Sequence, residues 1–341
     1  MKTILIITDN KAGHESVSSG LVSQLERYME IEVIKLSVNF KYNISKFILK
    51  ILLNNNFFIK HISFKLIKFF YSFSNENINY SKIDLIVSTG GKTSFINIML
   101  AKLYGIKNIY CSSLRGLNPL LFTYLVTINK KDLYPNALYF ELAPLKIKYD
   151  KTKTSDFLEK LDFKNQIIWS ILIGGATKEY PFTDKELLEL IEKLLQKAKL
   201  ENKKVLLTTS RRTSKTVEKG VEAFKNKYDN LAYCVLFNKF PEKIISIYLK
   251  VSDLVFITED SGSMITESIY ALKPAITIRP NSNKPQRIYQ QFIQNNIRKK
   301  YLYSYSIDEI DNIDINNLNF NIYNNEQDKS NLHKIVNLLK V

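Results

Sequence analysis

The sequence is poor in histidine, cysteine and tryptophan: three His, two Cys and one Trp among 341 residues. Cys111 and Cys234 stand far apart with no CxxC or Cys/His spacing, which argues against a disulfide framework or a structural zinc centre. So few histidines also argue against a His-rich metal site, and no metal is expected. Ten Gly and eight Pro are too few for a linker-rich or disordered chain. The opening "MKTILIITDN" has an apolar run too short for the core of a signal peptide. It reads as a first buried strand, and the protein as cytoplasmic. Acidic residues are in deficit: 33 Asp+Glu against 49 Lys+Arg give a net charge of +16. Such a field favours an anionic partner, whether nucleic acid, an acidic membrane surface or a phosphorylated metabolite. No nucleic-acid-binding module accompanies it, so nucleic acid is the weakest of the three.

What is present is a long, apolar-rich chain: 45% hydrophobic residues, enough for two ordinary cores. Short apolar runs (4–8, 31–36, 83–88, 108–111, 124–128) alternate with helical patterns, the first over Ser16–Tyr28 with Val17, Leu21 and Leu25 on one face. After a polar stretch at 151–166 the pattern restarts with "IIWSILIGG", a periodic helix over 184–200, and strands at "KKVLLTTS", "LAYCVLF" and "LVFIT". Such alternation predicts parallel sheets with helical crossovers, and the continuous apolar runs predict strands covered on both faces. The expected architecture is α/β, two Rossmann-like domains at 1–160 and 165–325, with a C-terminal helix at 326–341 that packs back on the first domain. Ligands of such sheets sit at the carboxyl ends of strands, which directs attention to the inter-domain cleft.

Three strand ends of the second domain carry distinctive chemistry. Gly174-Gly175 follow a buried strand, where glycine permits positive φ and close backbone approach to a ligand; a plain tight turn uses the same letters. Ser210-Arg211-Arg212-Thr213 puts adjacent arginines where a diphosphate could be gripped, or where a helix simply starts in solvent. The turn Thr258-Glu259-Asp260-Ser261-Gly262-Ser263 opens a helix, with Ser261 and Ser263 as N-cap candidates and free N–H groups suited to phosphate. Glu267 lies four residues beyond Ser263 on the same side and can accept both hydroxyls of a ribose; otherwise it merely complements the helix dipole. Three strand ends of matching chemistry favour a nucleotide site.

In the first domain "TDNKAGHES" places Asp9, Lys11, Gly13, His14 and Glu15 after the first strand, and "STGGKTS" places Gly90, Gly91 and Lys92 after the strand ending at Ser88. The second segment fails as a phosphate-binding P-loop, because the glycine that motif requires at position 86 is Ile86.

These motifs resemble those of the mitochondrial-fission ELM / GtrOC-type family of glycosyltransferase-like proteins. The family's opening Thr-Asp-Gly-Lys-Ala-Gly-His-Glu appears as "TDNKAGHES" with Asn10 in place of Gly, its "LIGG" block within Ile171–Gly175, its "SRRT" at 210–213, and its "TEDS-x-x-M-x-x-E" at 258–267, followed by Lys273-Pro274. Relatives carry Asp-Pro-Arg where this chain reads "SSLRG" around Arg115. The resemblance implies a GT-B-like fold, parallel sheets facing across a cleft, and a metal-independent glycosyltransferase. It implies Glu267 as ribose ligand, with Gly174, Gly175, Ser261 and Ser263 near the diphosphate. Ser210, Arg211, Arg212, Thr213, Glu259, Asp260 and Met264 would complete the donor side. Asp9 or His14 would be the general base. Lys11, Gly13, Glu15, Gly90, Gly91 and Lys92 would lie on the acceptor side.

The segment 41–73 has no acidic residue. Ile44, Phe47, Ile48, Ile51 and Leu52 fall on one helical face, and Ile59, Ile62, Leu66, Phe69, Phe70 and Phe73 on another, with Lys46, Lys50, Lys60, Lys65 and Lys68 between them. The Asn54-Asn55-Asn56 break excludes a membrane-spanning helix, and basic amphipathic helices of this kind lie in a membrane interface or bury their faces in the core. The expectation is sugar transfer from a nucleotide-sugar to a cell-surface glycan or glycolipid at the inner membrane face. The alternatives are a nucleotide-sugar epimerase of the same architecture and a non-catalytic membrane adaptor.

Overall fold

The computed structural model describes residues 1–74, 77–129, 134–145, 151–161, 166–324 and 326–340. The chain forms two compact units, Met1–Lys146 with Asn325–Val341, and Ile147–Asn324. The domain boundary expected at 160–165 falls partly on residues 162–165, outside the described ones.

Unit 1 contains β1 (Lys2–Thr8), α1 (Ala12–Leu25), β2 (Ile31–Phe40), α2 (Ser45–Leu53), α3 (Asn56–Ile59), α4 (Phe64–Phe70), β3 (Tyr71–Phe73), β4 (Leu85–Ser88), α5 (Thr93–Tyr104), β5 (Lys107–Tyr110), β6 (Tyr124–Thr127) and β7 (Ala137–Tyr139). Unit 2 runs from α6 (Lys151–Leu161) through β8 (Ile168–Leu172), α7 (Asp184–Leu200), β9 (Lys204–Thr208), α8 (Lys215–Lys227), β10 (Leu231–Val235), α9 (Ile245–Val251) and β11 (Leu254–Thr258). It closes with α10 (Gly262–Tyr270), β12 (Ala275–Arg279), α11 (Arg287–Arg298) and β13 (Leu302–Ser306), and α12 (Glu326–Lys340) returns to unit 1.

The first sheet has the order β3-β2-β1-β4-β5-β6-β7, parallel except for the short antiparallel edge strand β3. Alternate residues of β1 feed opposite cores: Leu5 and Ile7 pack with α2, α4 and α5, while Ile4 and Ile6 pack with α1 and α12. That two-sided burial is why the strand reads as unbroken hydrophobic sequence. The second sheet, β10-β9-β8-β11-β12-β13, is parallel throughout. In each unit the strand order reverses once, between β1 and β4 and between β8 and β11. Loops at such a reversal diverge to opposite faces and leave a crevice at the strands' carboxyl ends.

The segment 41–73 folds differently from its pattern. α2 buries Ser45, Leu49 and Leu53, with Ile48 and Leu52 packed against the core, while Ile44, Phe47 and Ile51 point outward at 60%, 66% and 57% exposure. The second expected helix is shorter than its apolar spacing implies. Ser63 caps α4 by accepting from Leu66 N–H at 3.3 Å, and Phe73 belongs to β3, because the chain must extend to pair with β2. Among the described residues no helix is long and apolar enough to cross a membrane.

Candidate functional site

At the reversal in unit 1, β1 and β4 lie side by side and deliver their following turns to one place. Asn10 sits at φ 60°, a left-handed conformation that asparagine tolerates better than most residues. This is the position where the resembling pattern has Gly, so the substitution keeps the turn. The turn swings α1 round so that His14 Nδ1 meets the buried Asp9 carboxylate, at 2.9 and 3.1 Å from its two oxygens. Gly90 has φ 101°, and a Cβ there would collide with the His14 ring. The glycine is what lets the imidazole lie against the β4 turn. A Cβ on Gly91 would stand 2.9 Å from a guanidinium nitrogen of Arg115, which comes from the turn after β5.

The other predicted residues of this unit are less central. Lys11 is exposed at the start of α1 without a side-chain cap, and Gly13 has open space where a Cβ would be. Glu15 is paired with Lys35, which ties it to β2. Lys92 is exposed, while its carbonyl accepts from the buried Tyr71 hydroxyl at 2.7 Å. Lys50 reads in the sequence only as one of the lysines between the apolar faces of 41–73, and Arg115 falls outside the matched motifs.

In unit 2 the turns after β8, β9 and β11 interlock. Thr258 Oγ1 accepts from Gly174 N–H at 2.7 Å, and the Gly174 carbonyl accepts from Thr213 Oγ1 at 2.8 Å and from the Ser210 hydroxyl. Gly174 N–H is therefore committed inside the protein, contrary to the expectation that it faces a ligand. Gly175 has φ 148° and lies against the Arg212 backbone, with no room for a Cβ. Thr213, buried, also accepts from Ser210 N–H at 3.0 Å, so it closes the Ser210–Thr213 turn rather than offering its hydroxyl outward.

The two arginines differ. Arg212 pairs with Asp260, whose carboxylate is fully buried against Gly174. Burial pushes the Asp260 carboxyl up, and the Arg212 hydrogen bond pulls against that shift. Arg211 is exposed and has no acidic partner among the described residues, so it is the arginine open to an anion.

Glu259, expected on the donor side, is instead buried and fixes the turn. Its carboxylate accepts from Tyr180 Oη at 3.0 Å, Thr277 Oγ1 at 2.8 Å and the Ser304 hydroxyl. Its carbonyl accepts from Tyr289 Oη at 2.5 Å. Three hydroxyls from separate chain segments leave that side chain little capacity for a ligand. Met264 is also buried and packs inward.

The turn ends in α10 with an open N-terminus. Ser261 occupies the N-cap position but makes no side-chain cap, and Ser263 lies inside the helix and exposed, not at its cap as expected. Among the described residues no side chain accepts from the first N–H groups of α10, an arrangement suited to phosphate. One turn further, Glu267 is half-buried, and no hydrogen-bond donor or cation engages its carboxylate among the described residues. Burial alone pushes its carboxyl up to about 7. Among the described residues no group of three His, Cys, Asp or Glu gathers as metal ligands.

The chain belongs to the family described as Mitochondrial fission ELM1, whose model matches residues 12–320. No curated protein matches the sequence. Solved structures similar in fold cover nearly the whole chain at low identity. A Staphylococcus aureus MnaA–UDP co-structure matches with TM-score 0.61 and 13% identity, over 100% of this chain and 96% of that one. UDP-GlcNAc 2-epimerase from Methanocaldococcus jannaschii gives TM-score 0.59 and 14% identity, over 100% and 99%. Phytolacca americana UGT2, complexed with UDP-2fluoro-glucose and pterostilbene, gives 0.53 and 12%, over 99% and 94%. The fold is thus the α/β GT-B-like one, with two parallel-sheet Rossmann-like domains.

Proposed function

We propose that this family member is a glycosyltransferase that moves a sugar from a nucleotide-activated donor on unit 2 to a glycan or glycolipid acceptor on unit 1. The observation that carries this reading is Glu267: a desolvated carboxylate without a partner among the described residues, one turn beyond an uncapped helix start at the sheet's reversal. A ribose diol supplies the two donors this carboxylate lacks, and the α10 N-terminus and Arg211 take the diphosphate. The Arg212–Asp260 pair and the Glu259 hydroxyl cluster hold that turn in place.

On unit 1, Asp9 orients the imidazole of His14 through Nδ1 and leaves Nε2 to accept a proton. The acceptor hydroxyl gives its proton to Nε2 as its oxygen bonds to the anomeric carbon of the donor sugar. The bond from that carbon to the diphosphate breaks, and the nucleoside diphosphate leaves with the electron pair. No residue assigned to these steps requires a metal. In this reading the acceptor lies at the cytoplasmic face of a membrane and is reached by peripheral contact through 41–73.

The test is nucleotide release from UDP-sugars with and without a membrane lipid extract. Release that depends on the extract, with label appearing in the lipid fraction, supports transfer. Conversion of the sugar without any acceptor would support the epimerase reading instead, the activity named for the Methanocaldococcus jannaschii protein of similar fold.

A further inference from the structure

Three basic side chains follow one another over glycines in unit 1. His14 lies on Gly90, the Arg115 guanidinium on Gly91, and Lys50 Nζ on Gly116, where an added Cβ would stand 2.6 Å from it. Arg115 and Gly116 both have positive φ, 51° and 86°, in the turn after β5, so one tight turn carries the Arg115 side chain to Gly91 and receives Lys50 at Gly116. Lys50 arrives from α2, and α2 is tied to this same turn. Asn54 Nδ2 donates to the Gly116 carbonyl at 2.8 Å, and Asn54 Oδ1 accepts from Asn118 N–H at 3.0 Å. Neither Lys50 nor Arg115 has an acidic partner among the described residues, although cations of this chain elsewhere do find carboxylates.

The outward side of α2 carries an apolar stripe flanked by the exposed Lys46 and Lys50. Ile44, Phe47 and Ile51 occupy successive turns of one face, and Tyr42 and Phe69, also exposed, pack on each other at 5.4 Å between ring centroids. Exposed aliphatic and aromatic side chains grouped in this way mark a surface that meets an apolar partner. Lys50 stands on this same helix and covers Gly116, whose chain neighbour Arg115 covers Gly91, and His14 of the His14–Asp9 pair covers the adjoining Gly90. Read outward from His14, the order is base, cations, apolar face. A single molecule matches that order: a hydroxyl-bearing sugar, then phosphate, then a hydrocarbon chain.

We propose that Arg115 and Lys50 bind the phosphate of a lipid-borne acceptor whose chain lies against the outer face of α2. The inference rests on the glycosyltransferase reading for the identity of the sugar end, but not for the binding of phosphate and chain. Arginine offers a planar fork to phosphate oxygens and lysine a point charge, and glycine at 91 and 116 lets both lie close to the backbone. The apolar face contributes through area removed from water, and lysines along 41–73 favour an anionic lipid surface around it.

The experiment uses the full chain and three probes: farnesyl diphosphate, farnesol and inorganic pyrophosphate, with binding followed by calorimetry. Farnesyl diphosphate is expected to bind at least tenfold more tightly than either of the others. Arg115→Ala and Lys50→Ala should each weaken it by about fivefold to tenfold, and Phe47→Ser with Ile51→Ser by a similar factor, all with unchanged melting midpoints. Pyrophosphate binding as tight as that of farnesyl diphosphate would overturn the lipid-borne assignment. Farnesyl diphosphate binding that is indifferent to both cation variants would overturn the site. UDP binding, measured on the same samples, reports on unit 2 separately. Loss of UDP binding with farnesyl diphosphate retained would count against the donor reading and leave this site standing.

Discussion

Both oxygens of Asp9 face Nδ1 of His14, at 2.9 and 3.1 Å, and the carboxylate is almost fully buried where the imidazole is not. A carboxylate only accepts, so Nδ1 carries the hydrogen and Nε2 is left as the acceptor. Replacing His14 by Ala should lower the rate of transfer by a factor of about 10² to 10⁴, the usual worth of a positioned base. Asp9→Asn should lower it as well, by releasing the ring from its tautomer and orientation. Both variants should bind UDP like the wild type. Single-turnover transfer assays beside calorimetric titration separate the two effects, and an active His14→Ala enzyme would remove His14 from the chemistry.

Gly90 tests the same pair from its other side. With φ 101° and the His14 ring in the way of a Cβ, Gly90→Ala must displace the imidazole and strain the backbone at once. The expected outcome is a loss of transfer approaching that of His14→Ala, together with about 1–3 kcal/mol of lost stability. Transfer and urea denaturation measured on one preparation check this. A fully active Gly90→Ala enzyme would show that His14 need not lie where it does.

Glu267 makes stability depend on pH in a defined direction. Burial pushes its carboxyl from an ordinary 4.5 to about 7, so the folded chain holds a proton that the unfolded chain has released. Its contribution is fully present below the ordinary value, is lost progressively as pH rises through about 7, and changes no further above that. Glu267→Gln lacks the titrating group, so the variant should gain on the wild type between about pH 5 and pH 7.5. Parallel stability curves over that range would contradict the desolvated placement. Because ribose hydroxyls favour the ionised form, nucleotide affinity in the wild type should rise over the same interval.

The neighbouring arginines should behave oppositely. Arg212→Ala strips the buried Asp260 of its cation and should destabilise the protein by about 1–3 kcal/mol, the cost of a buried polar group left unmatched. Arg211→Ala should leave stability within about 0.5 kcal/mol, yet weaken nucleoside diphosphate binding about tenfold. Chemical denaturation and calorimetry on both variants decide it. An Arg211 variant with full affinity would leave the diphosphate to the helix terminus alone.

The sequence made the parallel sheets legible because their strands are covered on both faces and read as unbroken apolar runs. Elements without that signature escaped it. β3 is three residues long, β7 is equally short, β13 alternates tyrosine with serine, and α11 is largely polar with Asn and Gln through its length. Within the site, turns could be found by their letters, but not the direction of each side chain. Glu259 and Glu267 are both acidic residues of one motif. Only the positions of Tyr180, Thr277 and Ser304, brought from three other segments, separate the carboxylate that is fully engaged from the one without a partner among the described residues. Arg211 and Arg212 are likewise indistinguishable until Asp260 is seen to hold one of them. The approach of Lys50 to the Arg115–Gly116 turn accompanies a bond from Asn54 that ties a helix to a turn more than sixty residues away, a contact that no local pattern announces.

The central claim, that the turn from Thr258 to Glu267 holds a nucleotide, is tested most directly by thermal shift. UDP, GDP, CMP and CDP are added to the wild type and to Glu267→Ala, each at about millimolar concentration, where a ligand at 100 times its Kd raises stability by about 2.7 kcal/mol. The account predicts that one nucleotide raises the melting midpoint of the wild type and that this rise is largely lost in the variant. Either no shift with any nucleotide or the same shift in both proteins would contradict it.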